Sequence, residues 1–239
     1  NQMERLHNLH LPYPVRWRIT PSQVISSIFC SILLCSSAVA LELTIHLNEK
    51  KNLPLDGTIV ELAGPDHVTA SQKDHVINQI KKEFDPSISI VPKGSTILLL
   101  NEDSFKHHIY SLSKGNQFDI PLFSKPSQKE VLLNSHGIVK MGCNIHDWMI
   151  SYVYVNESDL VKEVSKSPVT FSGLSAGEYQ VRVWNPRFRN TKRIIRYDLT
   201  LVDGQPNELT LDLTLRKSVQ KKTKPTTSAD PDEKQGGNY

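Results

Sequence analysis

The sequence lacks several features that would define a protein class by themselves. It has three cysteines in 239 residues, too few for a disulfide framework. Its 28 lysines and arginines are offset by 25 aspartates and glutamates, and no basic block is dense enough to predict nucleic-acid binding. Beyond residue 40, no segment has the period of a long amphipathic helix. With 38% hydrophobic residues, the chain is predicted to be globular and to bury a sizeable core.

Residues 1–40 have the layout of an export signal. Arg16 and Arg18 precede an uncharged run, VISSIFCSILLCSSAV, which is followed by a small-residue cleavage site before Leu41. The alternative is an uncleaved membrane anchor, but this run of 16 residues contains five serines. A spanning helix needs about 20 predominantly apolar residues. We therefore predict cleavage, a periplasmic location and no membrane span in the mature chain.

Predicted export leaves a single cysteine in the mature chain, and its presence needs an explanation. Cys30 and Cys35 leave with the signal, so Cys143 is the only thiol of the predicted mature chain and cannot form an internal disulfide. A lone thiol in an oxidising compartment is explained by a metal, by an intermolecular bridge, or by burial as an inert hydrophobe. The sequence around it is needed to choose among these.

The apolar pattern predicts an all-β protein. Leucine and isoleucine alternate with polar residues at 41–47, and short alternating segments separated by turn residues recur along the chain. This spacing is typical of an antiparallel sandwich or barrel. Residues 65–85 fit either a short helix or an irregular strand, and residues 156–168 fit one helical turn. Residues 216–239 are rich in lysine, proline and threonine and predict a disordered tail.

One short segment, MGCNIHDWMISYVYV, contains three possible metal ligands. Cys143, His146 and Met149 are three residues apart in a loop between two predicted strands, which can direct all three side chains at one point. Thiolate, imidazole and thioether are ligands that copper accepts in both oxidation states. A trigonal copper site needs a second imidazole, which His107 or His108 can supply from another strand. A zinc half-site, or core packing of Cys143 and Met149, is the alternative.

These segments resemble the type 1 copper cupredoxins, the group that includes plastocyanin and amicyanin. The stretch NEDSFKHHI, with Asn101, His107 and Ile109, is similar to the family's first histidine motif. CNIHDWM is similar to the family's ligand loop in its shortest form. The resemblance implies a Greek-key β-sandwich with one mononuclear copper.

The resemblance also implies a role for each ligand. Cys143 would be the thiolate ligand, His107 and His146 the imidazole ligands, and Met149 the long axial thioether. Four protein ligands leave no open position for a substrate. The resemblance therefore implies a one-electron carrier with a redox partner protein, and not an enzyme.

The chain departs from the family at His108, where cupredoxins usually have asparagine. The family residue ties its strand to the loop after the cysteine. His108 could form this tie toward Asn144, act as a rival ligand, or be an ordinary strand residue. Trp148 lies between two ligands, and its edge is a candidate docking point for a redox partner; packing as a lid is the alternative.

The outer segments resemble a second small β-sandwich. LELTIHLNEKKNLPLDGTIVEL and VTFSGLSAGEYQVRVWNP are similar to the opening and closing halves of a carboxypeptidase-regulatory-like or transthyretin-like module. The predicted arrangement has residues 67–165 as a cupredoxin domain inserted between residues 41–66 and 166–215. Residues 41–190 together resemble exported cupredoxin-like proteins often labelled methylamine-utilisation proteins, although no residue here indicates amine chemistry.

The sequence leaves three functions to compare. The first is a periplasmic electron carrier. The second is a copper carrier or buffer, which usually has a flexible, exposed cluster of methionines and histidines; the predicted mature chain has only Met141 and Met149. The third is a structural β-sandwich protein with a vestigial copper site. The ligand set favours the electron carrier.

Overall fold

The computed structural model describes residues 40–125 and 127–217. Within these residues the chain forms sixteen β-strands and no helix, so the prediction of an all-β protein is confirmed. None of these segments forms a helix that could cross a membrane. The predicted export signal, apart from Ala40, and the predicted tail from residue 218 onward lie outside the described residues. The strands are β1 Leu41–Glu49, β2 Thr58–Ala63, β3 His75–Ile80, β4 Glu83–Asp85, β5 Ile88–Pro92, β6 Thr96–Asn101, β7 His107–Ser111, β8 Phe118–Phe123, β9 Gln128–Leu132, β10 Gly137–Cys143, β11 Ile150–Asn156, β12 Val161–Val164, β13 Val169–Leu174, β14 Gly177–Trp184, β15 Ile195–Leu201 and β16 Asn207–Leu213.

Seven strands from the two ends of the described chain form one pair of sheets. Their orders are β13-β1-β16 and β12-β2-β14-β15. The alternation in β1 places Leu43 and Ile45 in the core, where they meet residues such as Val181 and Leu213. We call these seven strands the outer sandwich. Its apolar alternation is what the sequence at residues 41–47 predicts.

The nine strands from β3 to β11 form a second pair of sheets, here called the central sandwich. A five-stranded sheet has the order β5-β11-β10-β7-β8, and a four-stranded sheet has the order β4-β3-β6-β9. Ile77 and Leu99 from the smaller sheet share a core with Ile109 and Val153 from the larger one. Cys143 and Met149 belong to this same core, so the predicted metal ligands lie inside the central sandwich.

Five strands lie in segments that the sequence left ambiguous or did not predict to be strands. The ambiguous residues 65–85 contain β3 and β4, and the expected helical turn in residues 156–168 is replaced by β12, which pairs with β2. β8 contains Pro121 but lies at the edge of its sheet, where a missing N–H costs no ladder hydrogen bond. β15 is the other unpredicted strand, and it pairs with β14.

A buried carboxylate joins the two sandwiches. Glu61 of β2 has no exposed surface, and it accepts hydrogen bonds from the Tyr154 hydroxyl at 2.8 Å and from the backbone N–H groups of Glu157 and Ser158 at 2.8 and 2.9 Å. His136 Nε2 lies 3.1 Å from the same carboxylate. Burial alone raises the pKa of Glu61, but these hydrogen bonds outweigh it and lower the pKa to about 2. An ionised Glu61 therefore stabilises the contact.

We expect Glu61→Gln to destabilise the protein in a pH-dependent way. The pKa of Glu61 is lower in the folded chain than its ordinary value of 4.5. The resulting stabilisation, roughly 3 kcal/mol, is complete above that value and is lost as the pH falls toward 2. Urea unfolding at several pH values should show a difference between wild type and variant that shrinks in this acid range. Glu178→Gln, an exposed carboxylate on β14, is the control and should show no such difference. A pH-independent difference for Glu61→Gln would contradict the lowered pKa.

Candidate metal centre

Two neighbouring strands and one loop bring the candidate ligands together. His107 begins β7 and Cys143 ends β10, and these strands pair antiparallel with Cys143 opposite Ile109. His146 lies in the loop that follows β10. This loop is closed by hydrogen bonds from the Cys143 N–H to the Met149 carbonyl at 3.2 Å and from the Met149 N–H to the His146 carbonyl at 2.9 Å. The loop therefore holds His146 over the end of the strand pair.

The ligand atoms converge in a buried cluster. Cys143 Sγ lies 3.7 Å from His107 Nδ1 and 3.6 Å from His146 Nδ1. The ligand atoms of the three residues all lie within 4.8 Å of one another. His107, His146 and Cys143 are 0%, 3% and 4% exposed, so the cluster is shielded from bulk water.

These separations fit a single metal ion. An ion bound to a thiolate at about 2.3 Å and to an imidazole at about 2.0 Å separates sulfur from nitrogen by about 3.5–3.7 Å, at angles between tetrahedral and trigonal. The two Sγ to Nδ1 distances of 3.7 and 3.6 Å fall in this range. One ion can therefore contact all three atoms without rearrangement of the backbone.

Met149, the predicted fourth ligand, lies in the same buried core as Cys143. It is 1% exposed and packs in the apolar cluster that also contains Cys143 and Val139. A thiolate with two imidazoles and a thioether is the donor set of type 1 copper sites, whereas a thioether is not among the usual ligands of zinc. The chemistry of the donor set therefore fits copper.

Asn101 fixes the loop that leads to His107. Its Nδ2 group donates hydrogen bonds to the carbonyl oxygens of Phe105 at 2.9 Å and Phe123 at 3.0 Å, and its Oδ1 atom accepts one from the Asp103 N–H at 3.0 Å. Asn101 is 3% exposed, so these three bonds replace its hydration. The residue organises the backbone around the cluster.

The side chain of His108 lies outside the cluster. It pairs with Asp119 on β8, and its ring lies 6.3 Å from that of Tyr110. The tie to the loop is made by the backbone, because the carbonyl of His108 accepts a hydrogen bond of 3.0 Å from the Asn144 N–H. The side chain of Asn144 is exposed. His108 thus connects β7 to the loop after Cys143 through its backbone carbonyl, and its imidazole takes no part in this connection.

Cupredoxins are among the solved structures that resemble this chain. A reduced Cu(I) form of an amicyanin variant is 15% identical, covers 40% of this chain and 99% of its own, and has a TM-score of 0.33. A purple cupredoxin from Nitrosopumilus maritimus is 24% identical, with coverage of 34% and 98% and a TM-score of 0.31. The copper-containing nitrite reductase from Thermus scotoductus is 19% identical, with coverage of 38% and 25% and a TM-score of 0.34.

No protein-family model matches the chain, and no curated protein is significantly similar to it. The TM-scores of the solved structures are also low. A function for this chain therefore has to be argued from the geometry and chemistry of its own candidate metal centre.

Trp148 partly covers His146. Its ring lies 5.2 Å from the imidazole of His146, and its indole N–H donates a hydrogen bond of 3.1 Å to the Lys82 carbonyl. The side chain is half-buried and packs against the core of the central sandwich. The neighbouring Ile145 is 45% exposed. An apolar surface therefore remains beside the cluster, and partner docking at Trp148 stays a prediction.

Sequence reasoning missed Asp103. Its Oδ2 atom lies 2.9 Å from His107 Nε2, on the side of the ring away from Cys143. Glu102 and Asp103 are adjacent acids before a histidine, and no spacing rule distinguishes which of them turns inward. The positions of the backbone N–H groups around the carboxylate decide this, and those positions are set by the fold.

We expect Asn101→Ala to weaken both the fold and metal binding. The change leaves two carbonyls and one N–H without their partner, which should cost about 2–4 kcal/mol of unfolding free energy. Loss of this support should also reduce Cu(II) affinity about tenfold or more. Urea unfolding and Cu(II) titration measure the two effects.

Asn116→Ala is the matched control. The Asn116 side chain likewise donates a hydrogen bond to a backbone carbonyl and accepts one from a backbone N–H, both of Ser135. Asn116 lies beyond the C-terminal end of β7, whereas His107 begins that strand. The Asn116→Ala variant should have a lower free energy of unfolding and an unchanged affinity for Cu(II). Equal losses of affinity in both variants would contradict a specific role of Asn101.

Proposed function

We propose that this chain is an exported type 1 copper protein that carries one electron. A single copper would be held by His107, Cys143, His146 and Met149. The observation that carries the proposal is the buried convergence of Cys143 Sγ with two imidazole Nδ1 atoms at 3.7 and 3.6 Å. The bound copper would supply the redox chemistry, by changing between Cu(II) and Cu(I).

The surrounding residues suit electron transfer. Two ligands are fixed by paired β-strands, and the loop containing His146 is closed by its own backbone hydrogen bonds. A framework that resists movement presents the same ligands to both oxidation states and so limits rearrangement when an electron moves. Burial of all four side chains excludes water as an additional ligand. The protein therefore fixes the positions of the copper ligands and excludes solvent from the copper.

The same burial weighs against copper delivery, the second function considered. A delivery site must pass its metal to another protein by ligand exchange, which needs accessible ligands. His107 is 0% and Met149 is 1% exposed. Four protein ligands also leave no position for a substrate, which argues against an enzyme. Retention of copper during repeated electron transfer is the function that this burial favours.

The location and partner follow from the same proposal. A periplasmic location is supported by the layout of residues 1–40. A redox partner protein would approach the end of the central sandwich where Trp148 is half-buried and Ile145 is exposed. Docking at this surface would place the partner's redox centre close to the copper and so shorten the distance that the electron crosses.

The domain arrangement is also proposed. The central sandwich is one continuous stretch of chain, and the outer sandwich combines strands from both sides of it. This assignment of strands to sheets supports the prediction that the cupredoxin domain is inserted into the outer module. β12 lies within the range 67–165 assigned to the cupredoxin domain but pairs with β2. The proposed second boundary therefore moves to the residues before β12.

Copper binding and visible absorption test the proposed function. Added Cu(II) should bind with a stoichiometry of one and produce an intense thiolate-to-copper absorption band. Cys143→Ser should abolish the band, because a hydroxyl does not replace the thiolate. His108→Asn is the matched control, since its imidazole lies outside the cluster, and should keep the band. Stoichiometric but colourless Cu(I) that resists oxidation would favour copper carriage, and failure to bind copper would favour a structural role.

A further inference from the structure

Two adjacent histidines on β7 each pair with a carboxylate, in opposite environments. His107 Nε2 lies 2.9 Å from Oδ2 of Asp103, and their side chains are 0% and 9% exposed. His108 pairs with Asp119, whose side chain is 75% exposed. Successive residues of a strand face opposite sides of the sheet. Only the first pair therefore reaches the cluster around Cys143.

The carboxylate of Asp103 is held by the turn between β3 and β4. Its Oδ1 accepts a hydrogen bond of 2.6 Å from the Lys81 N–H, and its Oδ2 accepts one of 2.9 Å from the Lys82 N–H. Both lysines have positive φ values, 54° and 60°. Successive N–H groups in such turns point to one side and form a concave site for an anion. Asp103 is therefore fixed independently of His107.

This arrangement selects one tautomer of His107. A ring nitrogen that faces a carboxylate carries the proton, which leaves the lone pair on the other nitrogen. Nε2 of His107 faces Asp103, whereas Nδ1 faces Cys143 Sγ at 3.7 Å. Asp103 thus presents the lone pair of Nδ1 toward the metal position.

The charge of Asp103 acts on the same centre. In a buried site of low dielectric, a negative charge behind a ligand imidazole makes that ligand more basic and favours the more highly charged metal ion. A positive group is also present, because the Lys82 ammonium lies 4.7 Å from the centroid of the Phe105 ring. That ring contacts His107 edge-on, with centroids 5.3 Å apart. A test must therefore remove the carboxylate charge and leave Lys82 in place.

We propose that Asp103 is a positioning residue that fixes His107 and lowers the reduction potential of the copper centre. It does so by stabilising Cu(II) relative to Cu(I). This inference rests on the proposed function, because a reduction potential requires bound copper. The selection of the His107 tautomer does not require copper, and it can be measured separately.

The test compares Asp103→Asn with Asp119→Asn in the full chain. Both changes remove a carboxylate from a histidine on β7, but only the first histidine lies in the cluster. Asp103→Asn should reduce the ratio of Cu(II) to Cu(I) affinity about tenfold, which corresponds to a rise of about 59 mV in the potential of a one-electron couple. Asp119→Asn should leave the potential unchanged. Asp103→Glu, which keeps the charge, should restore most of the wild-type potential.

Imidazole nitrogen NMR of the metal-free protein provides a second readout. Wild type and Asp119→Asn should contain His107 with its proton on Nε2, and Asp103→Asn should lose this preference. If Asp103→Asn does not fold, Asp103→Ser removes the same charge and can still accept a hydrogen bond from the turn.

An unchanged potential in the uncharged variant, or equal shifts at positions 103 and 119, would overturn the inference. Failure of the wild-type protein to bind copper would instead overturn the proposed function. In that case the NMR result alone decides whether Asp103 positions His107.

Discussion

The pairing of β7 with β10 is the constraint on which the candidate metal centre depends. Its register places Cys143 opposite Ile109, and His107 lies on the same face as Ile109 because the two are separated by one residue. A slip of one residue would turn His107 away and bring His108 inward. The register therefore decides which of two adjacent histidines meets the cysteine, and core packing by Ile109 holds that register.

Local and distant parts of the site differ in how well the sequence predicts them. Cys143, His146 and Met149 are close in sequence, so their spacing alone indicates a common ligand loop. Selecting His107 needed either the fold or a family resemblance, since both histidines fit the local pattern. Asp103 was not predictable, because its inward orientation depends on two N–H groups from a turn more than twenty positions earlier in the chain. That turn contains two lysines and lacks the Asn-Gly signal usual for positive φ.

The same distinction holds for the fold. Strong alternation, as in β1, follows from burial of one face of a strand and is readable from the sequence. β12 has only four residues and no buried residue in its pattern, and its conformation is set by pairing with β2. β8 is interrupted by Pro121, which its edge position tolerates. The strands that sequence reasoning missed are those whose conformation is set by pairing with a neighbouring strand more than by the pattern of their own side chains.

The path of the chain links folding of the outer sandwich to that of the central one. β1 pairs with β16, so Leu43 must find Asn207 across most of the described chain. The central sandwich brings its two ends together, since the Ala70 N–H bonds the Glu157 carbonyl at 3.4 Å. Once the central sandwich has formed, the effective loop between β1 and β16 is much shorter. Each halving of loop length lowers the entropic cost of closing the loop by roughly 0.6 kcal/mol. Anything that stabilises the central sandwich, including an ion bound at the candidate metal centre, therefore also favours assembly of distant strands that do not contact that centre.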